Sequence, residues 1–550
     1  MNRAAFFGRT TPRTPSATTL NALAPYSGAW TYAQAAHLLR RTTFGPNHAA
    51  IKEAVDDGLD ATLGKLFGPP PPLGTPPVYY GNFNADPSAG PGETWTDKPF
   101  AFIQNLQGAR ERSLQAWLVG KALRGGTHLL EKMVLFWHNH WYTDDVVVND
   151  ARFQYDYILL LREFALGNFR EFAKRMTLNP SMLRYLNGNE NLRDAPNENY
   201  ARELLELFTV GKGDLAGPGD YTTFTEDDVV AVARALTGWR DRGYLTQNAD
   251  QDITVQFRLF QHDNGGKQLS HRFDNATISN EGDAEYATVI DLILGSPHCA
   301  TFLARKLYRY FVYYELTPDV EATVIEPLAQ LLRDHDYDIE PALLALLGSE
   351  HFFDMLNVGP MIKNPMDYTL GLLNAADVAL PAANYNQEYI TWFNLVQVLD
   401  PMQMRYFAAP NVAGWPAYYQ EPVFYRSWIS GVTLTLRSEF ADTLARDGFT
   451  VLGQLIRIDV LALIAQFDNP TDPNALLADL NALFLPQPLD SVQLDYLKNI
   501  LIPGLPDFEW TVEYGEYLND PDDPALQAGV ENKLRATLAA LLTLPEFQLQ

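Results

Sequence analysis

The sequence predicts a mainly α fold, with a multi-helix orthogonal or bundle-like core and a small β-hairpin excursion near residues 241–273. Apolar residues recur every three or four positions through most of the chain, above all in residues 101–208 and 285–353, which is the period of helices with one buried face. Glycine and proline interrupt this pattern in the manner of helix ends. The period changes to two between Ile253 and Leu259, where apolar and polar residues alternate as in a half-buried strand.

The order of these patterns predicts five segments. At 550 residues the chain exceeds the size at which one hydrophobic core stops growing, so several packed units are expected. The run from Pro69 to Pro72 cannot continue a helix and marks a connector. The predicted segments are a flexible N-terminal arm (1–30), N-terminal helices (31–67), a Pro/Gly-rich connector (68–99), a helical core with the β excursion and the polar motifs (100–355), and a C-terminal helical region packed on that core (356–550).

Composition and charge restrict the classes of function. The hydrophobic share of 47% is that of a globular protein, and a formal net charge of -26 opposes binding to a phosphate backbone, so we expect no nucleic-acid partner. Cys299 is the only cysteine, which excludes an intramolecular disulfide and leaves His, Asp and Glu as metal ligands. The sequence has neither the apolar run of a secretory signal nor a transmembrane stretch of about 20 apolar residues, so we expect a soluble protein without an evident signal peptide.

Two histidines, His138 and His140, stand two residues apart in the string FWHNHW. A two-residue step in a helix turns about 200°, so the two rings face opposite sides unless the helix ends or distorts there. In the latter case both rings could bind one metal ion. Otherwise one is a hydrogen-bonded core histidine and the other lies at a surface. The letters also match a nuclease signature, but the net charge and the lack of a flanking ββα-metal pattern argue against that function.

The string NENYARELLELFTVG, from Asn197 to Gly211, predicts a helix with a capped start and a glycine stop. Glu203 and Glu206 lie three residues apart on its polar stripe, which is the spacing of a carboxylate metal site or of an acid/base pair. The apolar arc of this helix is wide. We therefore expect a buried helix in which Arg202 pairs with a carboxylate and both glutamates point into the protein. A solvated face would explain the same stripe without chemistry.

A third polar string, HDNGGK, follows the predicted strand. His262 and Asp263 supply an imidazole and a carboxylate that could move protons, and the two glycines would let the backbone approach a ligand closely. A plain hairpin turn is the alternative, because Asn264 and Gly265 are a favoured turn pair.

Two basic stripes have helical spacing. His37, Arg40 and Arg41 form the first, and Arg305 and Arg309 form the second. In a chain this acidic we interpret both as groups that form structural ion pairs, with anion binding as the alternative.

A family resemblance is carried by eight strings in a fixed order: HLLRRTTFGP (37–46), FWHNHW (136–141), NENYARELLELFTVG (197–211), ARALTGW (233–239), HDNGGK (262–267), FLARKLYRYF (302–311), NVAGWP (411–416) and LPEFQLQ (544–550). Together they resemble the bacterial domain of unknown function 1800 family over nearly the whole chain. The resemblance implies a mainly helical bacterial protein. It also implies a possible partner, because members are often exported and encoded beside a protein resembling the sulfatase and alkaline phosphatase class. It implies no catalytic residue and no substrate, and this chain departs from the family in lacking an evident signal peptide.

Two functions follow as hypotheses. The first is a metal-dependent enzyme, a hydrolase or an oxidoreductase, with a divalent metal ion as cofactor. Its metal ligands would be Glu203 and Glu206 with His138 or His140, and its proton-transfer groups would be His262 or Asp263. This hypothesis requires the three segments to converge on one point. The second is a non-catalytic binding or assembly protein in which a buried network of Arg, Glu and His side chains fixes the fold.

Overall fold

The computed structural model of the chain describes residues 22–81 and 86–550, and these form a mainly helical protein, so the predicted fold class is confirmed. Residues 1–21 of the predicted flexible arm lie outside the described part. The division of the chain into five segments stays a prediction.

Helices make up most of the described chain. The first group of α-helices is α1 (Tyr32–Thr42), α2 (His48–Asp57), α3 (Leu59–Leu66), α4 (Leu106–Leu123), α5 (Leu130–His140), α6 (Ala151–Glu163), α7 (Phe169–Thr177), α8 (Pro180–Tyr185), α9 (Glu198–Glu203), α10 (Glu226–Ala235), α11 (Glu285–Gly295) and α12 (Pro297–Phe311). The second group is α13 (Pro318–Val320), α14 (Glu326–Asp334), α15 (Ile339–Leu347), α16 (Pro365–Ala375), α17 (Tyr385–Leu399), α18 (Gly431–Ala445), α19 (Val460–Ile464), α20 (Pro473–Phe484), α21 (Ser491–Leu501), α22 (Phe508–Asn519) and α23 (Pro524–Leu542). Two stretches are π-helical, Leu204–Thr209 directly after α9 and Glu321–Ile325 directly after α13.

The strands form two-stranded antiparallel sheets. They are β1 (Leu215–Gly217) with β2 (Asp220–Tyr221), β3 (Trp239–Arg242) with β4 (Thr254–Phe257), β5 (Lys267–Gln268) with β6 (Thr277–Ile278), and β7 (Phe449–Val451) with β8 (Gln454–Ile456). The predicted excursion near residues 241–273 corresponds to β3, β4 and β5. The hairpins β1–β2 and β7–β8 were not predicted, because strands of two or three residues are too short to establish an alternating pattern.

Local signals in the sequence explain where the helices begin. A capping box formed by Thr225 and Asp228 is present at the start of α10, with the side chain of each residue bonded to the backbone of the other. Asn197 caps α9 by accepting the backbone N–H of Asn199 at 2.9 Å. The sequence therefore encodes these helix starts through their first-turn hydrogen bonds.

The turn after α1 is pressed against α16. Gly45 has a φ of 89°, and a Cβ at this position would lie 2.5 Å from the Cα of Gly371. Glycine is needed at this crossing for both its backbone conformation and its lack of a side chain. The close approach packs the end of α1 on α16, which carries the buried carboxylate of Asp367 near its start.

Among the described residues, no single helix is long and apolar enough to cross a membrane. The two helical stretches Gly282–Gly295 and Pro297–Phe311 reach the length and apolar composition of a membrane span only when taken together, and the chain bends by 76° between them.

Candidate functional site

His138 lies fully buried in the last turn of α5, where protein groups use both of its ring nitrogens. Its Nε2 accepts the backbone N–H of Phe407 at 3.0 Å. The proton of the neutral ring therefore sits on Nδ1, which donates to the hydroxyl of Tyr157, 3.1 Å away. That hydroxyl donates to the carbonyl of Trp141 at 2.9 Å. Burial lowers the pKa of His138 to about 3, so the ring stays neutral and holds the loop at Phe407 to α5 and α6.

His140 contacts a different part of the fold. Its Nε2–H donates to the carbonyl of Phe208 at 3.0 Å, and its Nδ1 accepts a hydrogen bond from Nζ of Lys306 at 3.1 Å. Burial, and after it the charge of Lys306, hold the pKa of His140 well below its usual range. The alternative in which one histidine lies at a surface is wrong, because both are buried in the aromatic core around α5.

Asn139, which lies between the two histidines, binds the segment that contains Trp415. Its Oδ1 accepts the backbone N–H of Trp415 at 2.8 Å. Gly414 packs so closely that a Cβ there would lie 2.3 Å from this oxygen. The string NVAGWP is thereby docked on FWHNHW. His138, Asn139 and His140 form what we call the α5 junction, which connects three distant segments to one helix end.

The helix that carries the glutamate pair departs from the predicted geometry. It is α-helical to Glu203 and π-helical from Leu204 to Thr209, so the stripe computed for a regular α-helix does not extend through Glu206. The predicted pairing of Arg202 is confirmed, since its guanidinium donates to both carboxylate oxygens of Glu226, at 2.8 and 2.7 Å.

The two glutamates are half-buried and lie near each other. Glu206 pairs with Lys212 at 3.1 Å, and its side chain is 23% exposed. Burial, and next the charge of Glu206, raise the pKa of Glu203. We expected both glutamates to be enclosed in protein, but each is only half-buried. They are also not fully solvated.

The HDNGGK string contains a fully buried ion network. Nε2 of His262 lies 3.0 Å from Oε2 of Glu285, and Nζ of Lys267 forms an ion pair with the other oxygen of the same carboxylate. The three side chains are fully enclosed. Asp263 lies at the edge of this network and pairs with Arg234 at 2.7 Å. A plain hairpin turn, the alternative interpretation, does not account for the buried contacts of His262 and Lys267 with Glu285.

His138, His140 and Glu206 each have protein partners of their own. Within residues 22–81 and 86–550, no set of three or more His, Cys, Asp or Glu side chains could hold a metal ion. Metal binding by His138, His140, Glu203 and Glu206, and proton transfer by His262 or Asp263, therefore stay predictions without a preformed metal group to support them.

A different charged site lies where α1, α5 and α16 meet. Asp367 is buried near the start of α16 and accepts from the amide of Asn364 at 2.8 Å and from that of Gln550 at 3.2 Å. Nζ of Lys132, on α5, forms an ion pair with the same carboxylate. Among the described residues, five buried cationic side chains lie around the side-chain carboxylate of Asp367, and we call the set the Asp367 cluster: Arg40, Arg41, Lys132, Lys363 and Arg437 with Asp367.

Most of these cations bond to neutral backbone oxygens instead of carboxylates. Arg40 donates to the carbonyl of Leu483 at 2.8 Å, Arg41 to that of Asn357 at 2.9 Å, and Lys363 to that of Phe547 at 2.9 Å. The interpretation of Arg40 and Arg41 as ion-pairing groups is therefore wrong for their direct contacts. Arg305 and Arg309 do pair with carboxylates, of Glu321 at 2.8 Å and of Glu421 at 3.6 Å, as expected.

The guanidinium of Arg41 is incompletely paired. Its Nη1 contacts the thioether sulfur of Met361, which is a weak acceptor, and its buried Nε finds no hydrogen-bond partner in the described part of the chain. Burial lowers the pKa of Arg41 to about 10, so the group is still charged at neutral pH. A small cavity of about 20 Å³, the size of one water molecule, is lined by Arg41, Lys132, Arg309 and Asp367.

A larger cleft of about 430 Å³ adjoins the cluster through Lys132, which lines both cavities. This volume lies in the range of small-molecule sites. The cleft is bordered by the end of α1 and the turn after it, by α4 and α5 with their connection, and by α16, with Thr43, Gly45, Asn47, Gly126, His128, Glu131 and Asp377 among its lining residues.

Sequence reasoning missed most of the Asp367 cluster. Lys132 and Asp367 lie 235 positions apart, so no local motif joins them. The available signals were Lys132 itself, which directly precedes the apolar run from Met133 to Trp137 in α5, and the basic stripe of α1.

Comparison with known proteins places the chain in a family. Neither the search of curated proteins nor the search of solved structures gave a match. The family model described as Protein of unknown function (DUF1800) matches residues 37–549, nearly the whole chain, with the α5 junction, the Asp367 cluster and the cleft inside the match. The chain therefore belongs to the DUF1800 family.

Proposed function

We propose that this chain is a non-catalytic binding protein that takes a small anionic ligand at the Asp367 cluster. The observation that carries the proposal is the imbalance of buried side-chain charge in the described part of the cluster, five cationic side chains against the carboxylate of Asp367. A buried charge without a counter-charge loses its hydration, which costs several kcal/mol for each ion. An anionic group bound beside the cluster would offset part of that cost.

Arg41 and Lys132 are the groups best placed to receive the ligand. Both line the small cavity, the Nε of Arg41 is an unused donor, and Lys132 has Asp367 as its sole ion-pair partner among the described residues. The cavity would take one oxygen of a carboxylate, phosphate or sulfate group. The cleft on the other side of Lys132 would take the rest of the molecule.

This proposal follows the binding hypothesis, and a metal-dependent enzyme has less support. The ring nitrogens that the metal hypothesis needs at His138 and His140 already make hydrogen bonds within the protein. A cleft of this size beside a cationic interior supports recognition of a ligand and requires no reacting group.

The proposal is tested by titrating the protein with sodium acetate, phosphate and sulfate at constant ionic strength set by sodium chloride. Binding is followed by calorimetry and by thermal unfolding. We expect saturable stabilisation by at least one oxyanion. Lys132→Met should weaken its binding by about 10- to 100-fold, because a charge-assisted hydrogen bond contributes about 1.5–3 kcal/mol.

Two further variants separate the cluster from nonspecific anion binding. Asp367→Asn removes the carboxylate that competes for Lys132 while keeping its shape, so it should strengthen anion binding. Lys52→Met removes an exposed cation, paired with Asp468, and should leave binding unchanged. Equal affinity in Lys132→Met and Lys52→Met, or no saturable binding by any of the three anions, would refute the proposal.

A further inference from the structure

The cleft beside Lys132 has a cation on its inner side and a carboxylate on its outer side. Lys132 and Asp377 line the same cavity of about 430 Å³. Lys132 is only 2% exposed, whereas Asp377, in the turn after α16, is an exposed residue. This difference in burial puts the positive charge at the deep side of the cleft and the negative charge at its open side. A ligand that extends from Lys132 toward solvent therefore meets both charges.

The carboxylate of Asp377 is held in place by two neutral amides. Nδ2 of Asn47 donates to its Oδ1 at 2.6 Å, and Nε2 of Gln466 donates to its Oδ2 at 3.2 Å. In the described part of the chain Asp377 forms no ion pair, while Asp468, two residues after Gln466, is paired with Lys52 at 2.9 Å. The amides fix the position of the Asp377 carboxylate and leave its charge available to a cationic group.

The other ionisable groups that line the cleft already have partners within the protein. Glu131 is buried, and both of its carboxylate oxygens accept from Nη1 of Arg162, at 2.7 and 2.8 Å. His128 uses both ring nitrogens in hydrogen bonds with the backbone, each at 3.0 Å. Neither side chain offers a free charge to a ligand. A cationic group in the cleft would therefore be attracted mainly by Asp377.

Much of the remaining wall of the cleft is apolar. Its apolar lining side chains include Leu39, Phe44, Leu123, Leu373 and Val378. These side chains offer no hydrogen bonds, so the part of a ligand that lies against them should be aliphatic. A ligand with a second negative charge at the open side would be repelled by Asp377. The cleft is therefore complementary to an anionic group and a cationic group joined by a hydrocarbon chain.

We propose that the ligand of this cleft is a zwitterion, an unbranched aliphatic amino acid whose carboxylate binds Lys132 and whose ammonium group binds Asp377. This inference rests on the proposed anion site, because it uses the same lysine, and it adds the second charged group and the chain between the two. Because the protein holds both of its charged groups in place, one chain length should fit better than shorter or longer ones.

The experiment is calorimetric titration of the full-length protein, at about pH 7 and constant ionic strength, with amino acids and with the matching acids that lack the amine. The pairs are β-alanine and propanoate, γ-aminobutanoate and butanoate, δ-aminopentanoate and pentanoate, and ε-aminohexanoate and hexanoate. At least one amino acid should bind about 2- to 5-fold more tightly than its matching acid, which is the contribution of a partly exposed ion pair. The gain should fall at shorter and at longer chain lengths.

Variants assign the gain to one carboxylate. Asp377→Asn keeps the shape of the side chain and tolerates the φ of 47° at this position, so it should abolish the gain from the amine without weakening the simple acids. Asp468→Asn removes the exposed carboxylate paired with Lys52 and should leave the gain intact. Lys132→Met should weaken both members of each pair equally.

The outcomes distinguish this inference from the proposed function. If the amine gives no gain at any chain length, or if the gain persists in Asp377→Asn, the zwitterion is wrong. Binding of the simple acids that depends on Lys132 would then still support the anion site. If neither series binds saturably, the zwitterion is also wrong, and the titrations with acetate, phosphate and sulfate decide separately on the anion site.

Discussion

Replacing Glu285 by glutamine is expected to destabilise the fold strongly, because it leaves Lys267 buried without a counter-charge. Both side chains are fully enclosed, and the amide keeps the shape of the carboxylate but loses its charge. Removing one partner of a buried ion pair costs about 3–5 kcal/mol, whereas an exposed pair contributes about 0–1 kcal/mol. Glu321→Gln, at the partly exposed pair with Arg305, is the matched control and should cost less than about 1 kcal/mol.

The assay is unfolding in urea, followed by tryptophan fluorescence, for each single variant and for the double variant Glu285→Gln with Lys267→Met. The double variant leaves no stranded charge. Its loss of unfolding free energy should therefore be smaller than the sum of the two single losses, by about 2 kcal/mol or more. Additive losses, each below about 1 kcal/mol, would show that the network is not an energetically coupled buried pair.

Three further predictions concern other buried or half-buried groups. His138→Phe should cost about 2–4 kcal/mol in urea unfolding, because it leaves the N–H of Phe407 without an acceptor and Tyr157 without its donor. Burial, and next the charge of Asp145, raise the pKa of Glu111 to about 7, so its contribution to stability is full below about pH 4.5 and is lost as pH rises through 7. Glu111→Gln should remove that loss in urea midpoints measured from pH 5 to 8. Protein purified without a chelator should contain no stoichiometric metal in elemental analysis. If it does contain one, and a Glu203→Ala, Glu206→Ala double variant loses it, the metal hypothesis is restored.

The helical fold was predictable because its signals are local. The capping box of Thr225 and Asp228 and the capping residue Asn197 each involve neighbours along the chain. The π-helical stretch at Leu204 was not predictable in this way. The carbonyls of Phe208 and Leu207 in this stretch accept hydrogen bonds from His140 on α5 and Lys306 on α12, which are tertiary contacts that a regular helical period does not reveal.

The site residues show the same limit more sharply. The 200° step between His138 and His140 correctly predicted that the rings would point apart, but it could not identify what each ring would contact. Their partners, Phe407 and Lys306, lie 269 and 166 positions away. The polar residues of FWHNHW do make buried hydrogen bonds, while the metal chemistry inferred from them was chosen without knowledge of those partners.

The charge of the chain as a whole is a poor guide to its interior. A formal net charge of -26 predicts repulsion of an extended polyanion at the surface, where many acidic groups act together. At physiological ionic strength, however, exposed charges are largely screened beyond about 8 Å, whereas buried charges at contact distance are screened much less. A small anion beside Arg41 and Lys132 would therefore experience mainly the Asp367 cluster, in which cations outnumber carboxylates. The expected absence of a nucleic-acid partner and the proposed recognition of a small anion are thus compatible in one acidic chain, since the first depends on its surface and the second on its interior.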